Sequence, residues 1–423
     1  MKIISILHTM MLYPMSRSIV ELQSQAQRLK TLREATTCHI ECPYEGQPIV
    51  LIALYQKGVL RPDLVRFLRV AKAQGLYVLA VNTLRLSDPA ALTGLVDCYV
   101  ERPNYGRDFG SYKAGFEHFF ARNWQATCPR LLMVNDSVFY STRGLDEFVE
   151  DLTTTTVEVL GATENYEIEY HLGSFCISMA QNVLTAPRFR TYWDRYRLTD
   201  VRPIVIKQGE MKFSRILKRC VSCPSQFHAL YNTDRFLNEM KARPEIQDLI
   251  LRDSRTGDNT PAPRFDVSNV TKLLSGHRIL PRYSNASNIE VALDAPIKDF
   301  HEDALIMSRN DLARYLLRHV PENARSKDFD ELLGDSLSAV ASEVFMFGSQ
   351  IHQNAGILLE LGLPIVKLDG LYRGMLNSYD VLRLQKKLDA VEACELSALL
   401  LERPYGGHML VGWKHAAFMR GLI

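Results

Sequence analysis

Between residues 49 and 134 short apolar runs alternate with amphipathic stretches, and few architectures accept that pattern. The runs fall at 49–55, 77–81, 98–100 and 131–134. Runs this apolar read as strands covered on both faces, which is the condition of a parallel sheet. Residues 62–74 read as a helix, with Pro62 in its first turn and Gly75 ending it. Ser87-Asp88-Pro89 starts a short helix to Leu95. Tyr112, Phe116, Phe119 and Phe120 share one face of another helix. Strands and helices in alternation, joined by short links, predict an α/β fold: a mostly parallel sheet flanked by helices.

Beyond residue 136 the alternation loosens. Strands are predicted at 157–162 and 174–179 around a polar loop, 163–173, and helices near 187–197, 209–219 and 232–241. Residues 242–300, rich in Arg, Asp, Pro and Asn, read as a long loop region. From Asn310 the pattern is helical at 310–319, 329–345, 353–361, 378–391 and 395–402, with one short strand at 364–368. At the other end, residues 1–15 hold Lys2, His8 and Pro14 and no small-residue cleavage site. They read as a strand or docking segment rather than a signal peptide. Ser18 and Glu21 form a capping box before the stripe Ile19, Leu22, Ala26, Leu29 and Leu32, predicting an amphipathic helix. Three regions are expected: 1–45, a core at 46–300, and a mainly helical 301–423 packing on it.

Composition narrows the function. The chain is 47% hydrophobic and 23% charged, an ordinary globular mix, and its net charge of +2 gives no basis for a nucleic-acid partner. One stretch is locally basic: Arg202, Lys207, Lys212, Arg215, Lys218 and Arg219 face Glu210 alone. It reads as a solvated helix face, or as a contact for phosphates or an anionic membrane surface. No run of 18 apolar residues suggests a membrane span. Cys220 and Cys223 have the spacing of half a zinc site, but no second such pair exists, so free thiols in a reducing cytoplasm are expected.

The chemistry concentrates in residues 102–139. In α/β sheets ligands sit at the carboxyl ends of the strands. Asp136 follows the run 131–134, and Asp108 lies in the loop after 98–100. Two carboxylates at neighbouring strand ends suit a sugar nucleotide, one for its polar groups and one for a metal on its diphosphate. Gly106 and Gly110 permit close backbone approach. Asn135 and Lys113 flank the carboxylates. His171 and Glu164 belong to the loop region that would line an acceptor side. Glu210 opens a helix-like stretch, as a general base or as an acid placed by the helix dipole; the cations near it should lower its pKa. His352 and Lys367 bracket a late helix and strand, where a histidine would fold back onto a metal or phosphate and a lysine neutralise diphosphate charge.

Read together, RPNYGRDFGSYKAGF, LLMVNDSVF, LGATENYEIEYHLGSFCISM, FRTYWDRYR, IKQGEMKFSRIL and SQIHQNAGILLELGLPIVKLDGL resemble the rhamnan synthesis F family of bacterial polysaccharide glycosyltransferases. The resemblance spans about 45 to 370. It implies a GT-A-like core and an inverting transfer of rhamnose from dTDP-L-rhamnose to a lipid-linked glycan. That places the chain in cell-surface polysaccharide assembly of O-antigen or rhamnan type, in the cytoplasm or peripherally on the inner face of the membrane. It implies Mg²⁺ or Mn²⁺, with Asp136 and His352 as ligands, Glu210 as base, and Tyr55, Gly106, Asp108, Lys113, Asn135 and Lys367 around the donor. The family's metal motif holds two aspartates; here the place reads Asn135-Asp136-Ser137. Gln56 stands where an Asp is expected. Transfer of another sugar, or a non-catalytic glycan- or nucleotide-binding subunit, are the competing readings.

Overall fold

A computed structural model of the chain describes residues 2–254, 264–279, 304–318, 329–346, 348–403 and 406–423. Eleven strands are described: β1 (Thr37–Glu41), β2 (Ile49–Leu54), β3 (Tyr77–Asn82), β4 (Cys98–Glu101), β5 (Arg130–Asn135), β6 (Val138–Tyr140), β7 (Val159–Asn165), β8 (His171–Leu172), β9 (Cys176–Ala180), β10 (Phe227–Tyr231) and β11 (Ile365–Lys367). The central sheet runs β1-β4-β3-β2-β5-β9-β7-β10, with β8 on β7. Strands β4, β3, β2 and β5 are parallel, as are β7 and β10; β1 and β9 run against their neighbours. The chain leaves β2 for β3 and β4 on one side, then returns to place β5 on the other. The strand order therefore reverses between β2 and β5, and a crevice opens there. This is the mixed, mostly parallel sheet with flanking helices that the sequence predicts.

All six residues of β2 are buried. Ile49, Leu51 and Ala53 face a core shared with Phe109, Tyr112, Phe116 and Phe119 of helix Arg107–Ala121, and with Trp193 and Phe213. Val50, Ile52 and Leu54 face a second core with helix Pro62–Ala73. Leu337, Val340, Leu358 and Ile365 belong to that second core, so the C-terminal helices close one face of the sheet. Gly115 lets helix Arg107–Ala121 lie close on the sheet, since a Cβ there would collide with Leu51.

Several expectations fail for identifiable reasons. Residues 2–31 form one helix, Lys2–Thr31, which continues through Pro14 and leaves Ser18 inside it rather than capping it. A proline there loses one hydrogen bond, but the helix is held from outside. Val20 packs with Val201, Ala417 and Leu422, and Ser16 Oγ donates to Trp413 O at 3.1 Å. Gln27 Nε2 donates to Asn104 O at 3.0 Å, and Ser24 Oγ accepts from Asp200 N at 3.1 Å. The predicted helix 87–95 shrinks to a 3₁₀ turn, Pro89–Leu92, capped by Asp88. Within 242–300, much of which lies outside the described residues, helices Pro244–Asp253 and Val267–Gly276 replace the predicted loop. Ile246, Leu249, Ile250, Val267, Val270 and Leu274 supply their buried faces. The short strands β1, β6 and β10 carry too little alternation to stand out. Among the described residues no helix is long and apolar enough to cross a membrane.

Candidate functional site

At the crevice β2 and β5 end side by side, with Ala53 opposite Asn135. Asp136 N donates to Ala53 O at 3.1 Å, which turns the chain out of the sheet. The Asp136 side chain then reaches back across the crevice. Its Oδ2 accepts from Tyr55 N at 2.6 Å and from Gln56 Nε2. Arg61 Nη1 donates to Asp136 O at 2.9 Å. Burial pushes the Asp136 carboxyl above its ordinary range, partly offset by Arg61 and the two hydrogen bonds. Gln56 thus has a reason to differ from the expected Asp: an amide donates to Asp136, whereas a second carboxylate would repel it. Asn82 was not singled out in the sequence. It ends β3 fully buried; its Nδ2 donates to Gln56 O (2.9 Å) and Tyr99 Oη (3.0 Å), and its Oδ1 accepts from Gln56 N (2.9 Å). An Asn closing an apolar strand, as Asn135 closes β5, was the available signal.

The loop after β4 is shaped by Arg102. Its buried guanidinium donates to Pro103 O, Tyr105 O, Arg107 O and Ser111 Oγ, and burial lowers its pKa to about 10. Gly110 must lack a Cβ, which would sit 2.6 Å from Arg102 Nη2 and from Tyr105 O. Gly106 turns the chain at φ +92°, and its N–H donates to Asp200 Oδ1 at 2.7 Å. Asp108, in the first turn of the helix that follows, accepts from Asn135 Nδ2 at 3.1 Å. Asp108 and Asn135 thus join and line one cleft with Asp136, although β4 and β5, expected as neighbours, are separated by β3 and β2. Lys113 does not join them. Its Nζ donates to Tyr196 O at 2.9 Å and Asp194 O at 3.3 Å, away from the cleft.

Glu210 lies across the cleft in a π-helical segment, Ile206–Met211, between helices Arg202–Val205 and Lys212–Lys218. Tyr192 Oη donates to Gln208 O at 3.0 Å, and Gly209 O lies 3.5 Å away. Gly209 rests on the Phe109 ring, where a Cβ would be 2.8 Å from ring carbons. Because Phe109 follows Asp108, this contact brings Asp108 and Glu210 to the same wall. Burial and then Asp108 raise the Glu210 pKa, outweighing Lys367 and His171. The sequence expectation of a lowered value is reversed. His171 is buried, with Nδ1 2.7 Å from Glu169 O. A carbonyl only accepts, so Nδ1 carries the proton. Nε2 then has no hydrogen-bond partner among the described residues and lies 3.9 Å from Glu210 Oε2.

Lys367 on β11 donates to Ser137 Oγ at 2.7 Å and lies over the Phe175 ring. His352 is placed differently from the expectation of a metal ligand beside Asp136. Its Nε2 is 2.8 Å from Asp369 Oδ1 and its Nδ1 2.9 Å from Ser349 Oγ, so both ring nitrogens are engaged. Glu164 is taken up elsewhere. Its Oε1 accepts from Thr233 N and Oγ1, both at 2.8 Å, and its Oε2 from Tyr170 Oη at 3.2 Å. Among the described residues no three His, Cys, Asp or Glu side chains form a metal-binding group.

Tyr55, Gln56, Asp108, Asn135, Asp136, His171, Glu210, His352 and Lys367 line one open cleft of about 2250 Å³. That exceeds the ~300–1,000 Å³ of a usual small-molecule pocket, so there is room for more than one substrate. Tyr55 is 58% exposed, presenting a ring at the rim above Asp136.

Sheet and cleft define an α/β protein whose largest described cleft lies at a strand-order switch point. Residues 76–251 match the family model described as rhamnan synthesis protein F, in agreement with the resemblance read from the sequence. Among curated proteins it is similar to the uncharacterized protein y4gN of Sinorhizobium fredii: 25% identical over 174 residues, 40% of this chain and 45% of that one. It is also similar to the virulence protein VirA of Vibrio anguillarum, 35% identical over 79 residues, 19% of this chain and 24% of that one. The chain spans less than half the length of these relatives.

Proposed function

We propose that this chain is an inverting glycosyltransferase of polysaccharide assembly that uses a nucleotide sugar. The observation that carries the reading is one cleft in which two buried acids stand on different elements. Asp136 sits at the switch point with Tyr55 and Gln56, while Glu210 of the π-helical segment and His171 of β8 line the same cleft. The donor's nucleotide lies along Tyr55, Asp108 and Asn135, and Lys367 neutralises diphosphate charge. The acceptor hydroxyl attacks the anomeric carbon from the face opposite the diphosphate. The new C–O bond forms as the old one to phosphate oxygen breaks, the hydroxyl proton passes to Glu210, and the nucleoside diphosphate leaves. A raised pKa suits Glu210 to this, since a base with pKa nearer neutrality accepts the proton more strongly. His171 Nε2, buried and without a partner, keeps one face of Glu210 polar.

A divalent cation fits only in part. The residues offer one carboxylate, with Asp136 Oδ2 already accepting two hydrogen bonds and Oδ1 accepting none from the described residues. Mg²⁺ is commonly held by one or two carboxylates plus substrate phosphates and water. Asp136 would hold such an ion mainly through the substrate, and the ion would supply charge for the leaving diphosphate. His352, occupied with Asp369, is not part of that set.

The family's description makes dTDP-L-rhamnose the first donor to test, with a lipid-linked glycan as acceptor on the cytoplasmic face of the membrane. Donor hydrolysis and transfer, measured with dTDP-L-rhamnose beside other sugar nucleotides, decide the reading. Turnover of a different donor keeps the transferase and changes the sugar. Binding with no turnover of any donor favours the non-catalytic subunit, which the single carboxylate and the amide of Gln56 would suit.

A further inference from the structure

Three arginines reach the cleft from segments far apart in the chain. Arg107 opens a helix, Arg202 opens another, and Arg373 follows β11. Arg373 is anchored by Nε to Asp369 Oδ2 at 2.8 Å and by both terminal nitrogens to Ile423 O at 3.3 Å. Arg107 is anchored by Nε to Asp200 O at 2.9 Å. Its two terminal nitrogens donate to no described residue. The Arg202 guanidinium makes no hydrogen bond and no ion pair with any described residue, although the residue is half-buried.

Holding an unpaired cation away from water is costly, and the neighbours increase the cost. Burial and then Arg373 depress the Arg202 pKa against Asp369 and Glu210, and burial depresses that of Arg107 against Asp108 and Asp200, with Arg373 and Arg403 adding to it. Two of the carboxylates nearby are committed elsewhere, while Asp108 and Glu210 partly offset the arginines' charge. Asp200 Oδ1 accepts from Gly106 N, and Asp369 accepts from His352 and Arg373. A purely structural role accounts for Arg102, all of whose bonds close on its own loop. It does not account for Arg202. A planar guanidinium fork matches two phosphate oxygens, and the open forks of Arg107 and Arg202, beside the anchored charge of Arg373, suit an anion.

We propose that Arg107, Arg202 and Arg373 form a phosphate-binding subsite, separate from the Asp136 corner, that takes a phosphate or diphosphate group of a substrate. The subsite itself stands on the arginine geometry. Only the identity of the phosphate carrier rests on the reading of the cleft as a sugar-transfer site. That carrier is either the nucleotide donor or an acceptor bearing a phosphate.

The test is calorimetric titration of the full chain with inorganic pyrophosphate, dTDP and farnesyl diphosphate. Arg202→Gln and Arg107→Gln should each weaken pyrophosphate binding about tenfold or more, the usual worth of a charge-assisted hydrogen bond. Arg202→Lys should recover part of the loss. Lys241→Gln, the same charge change outside the cleft, should change nothing. A parallel loss for dTDP assigns the group to the donor; a parallel loss for farnesyl diphosphate assigns it to the acceptor. Either supports the subsite. No pyrophosphate binding by the wild type, or unchanged binding in both glutamine variants with native melting, overturns it. Loss of pyrophosphate binding in a protein that turns over no sugar nucleotide leaves the subsite standing and removes the transferase reading.

Discussion

At the floor of the cleft, Asp136 is held by Tyr55 and Gln56 from the adjoining strand end, beside β2 and β5, whose residues are all buried. At the wall, Glu210 is held by a π-helical turn, one tyrosine hydroxyl and a ring contact with Phe109. The floor inherits its geometry from backbone pairing, which few side-chain changes disturb. The wall is assembled from side chains and an irregular helix, of the kind that often marks functional sites. Substitutions at the floor should therefore act through charge and those at the wall through position.

The largest expected effect is at the floor. Asp136→Ala should lower transfer by about 10²–10³, comparable to losing one preorganised charge-stabilising group. Steady-state transfer within threefold of wild type would remove Asp136 from the chemistry. Glu210→Gln comes next, with a loss of about 10²–10⁴ in kcat expected for a general base and nucleotide affinity nearly unchanged. If affinity falls in step with kcat, Glu210 belongs to binding and the two walls do not divide their roles as proposed.

The coupling between the walls gives a third measurement. The Glu210 pKa is raised above the usual carboxylate value of 4.5, first by burial and then by Asp108. Its active, ionised form is therefore lost as pH falls through that raised value. Asp108→Asn removes one cause, so the acid limb of the pH–rate profile should move to lower pH. An unmoved limb would mean that the group titrating there is not Glu210. A smaller effect is expected from Tyr192→Phe, which deletes the donor to Gln208 O while keeping the ring. We expect kcat to fall about three- to tenfold, in line with losing one hydrogen bond, with nucleotide affinity intact. The smallest effect on turnover belongs to Glu164→Ala. It should cost about 1–3 kcal/mol of stability for the unsatisfied buried donors of Thr233, seen in a denaturant melt, yet leave transfer within twofold.

The floor was legible in the sequence because strand ends are. An apolar run that stops at Asn-Asp places a carboxylate at the sheet's edge, and Asp108 and Asp136 could be paired without coordinates. Errors arose where a position was near the site in sequence but turned away from it. Glu164 sits on β7 between Thr163 and Asn165, which line the cleft; neighbouring strand residues point to opposite faces. Lys113 follows Asp108 by five residues, about 140° around the helix. His352 had the right chemistry, but the composition of its surroundings did not reveal Asp369 beside it. The arginine wall was only partly visible: Arg202 stood out within a basic stretch, but its meeting with Arg107 and Arg373 depends on contacts across the whole chain.

Those contacts also set an order of assembly. Ser16 Oγ bonds to Trp413 O, 397 residues away. At the roughly 5–20 residues per second of protein synthesis, helix Lys2–Thr31 waits on the order of 20–80 s for that partner. Throughout that interval the sheet can pair and bury Asp136, and the helix can already reach Asn104 and Asp200, while the Ile423 carbonyl that anchors Arg373 is still missing. The nascent chain thus acquires its floor long before its arginine wall. A ribosome-bound chain stopped short of residue 413 would carry the first without the second.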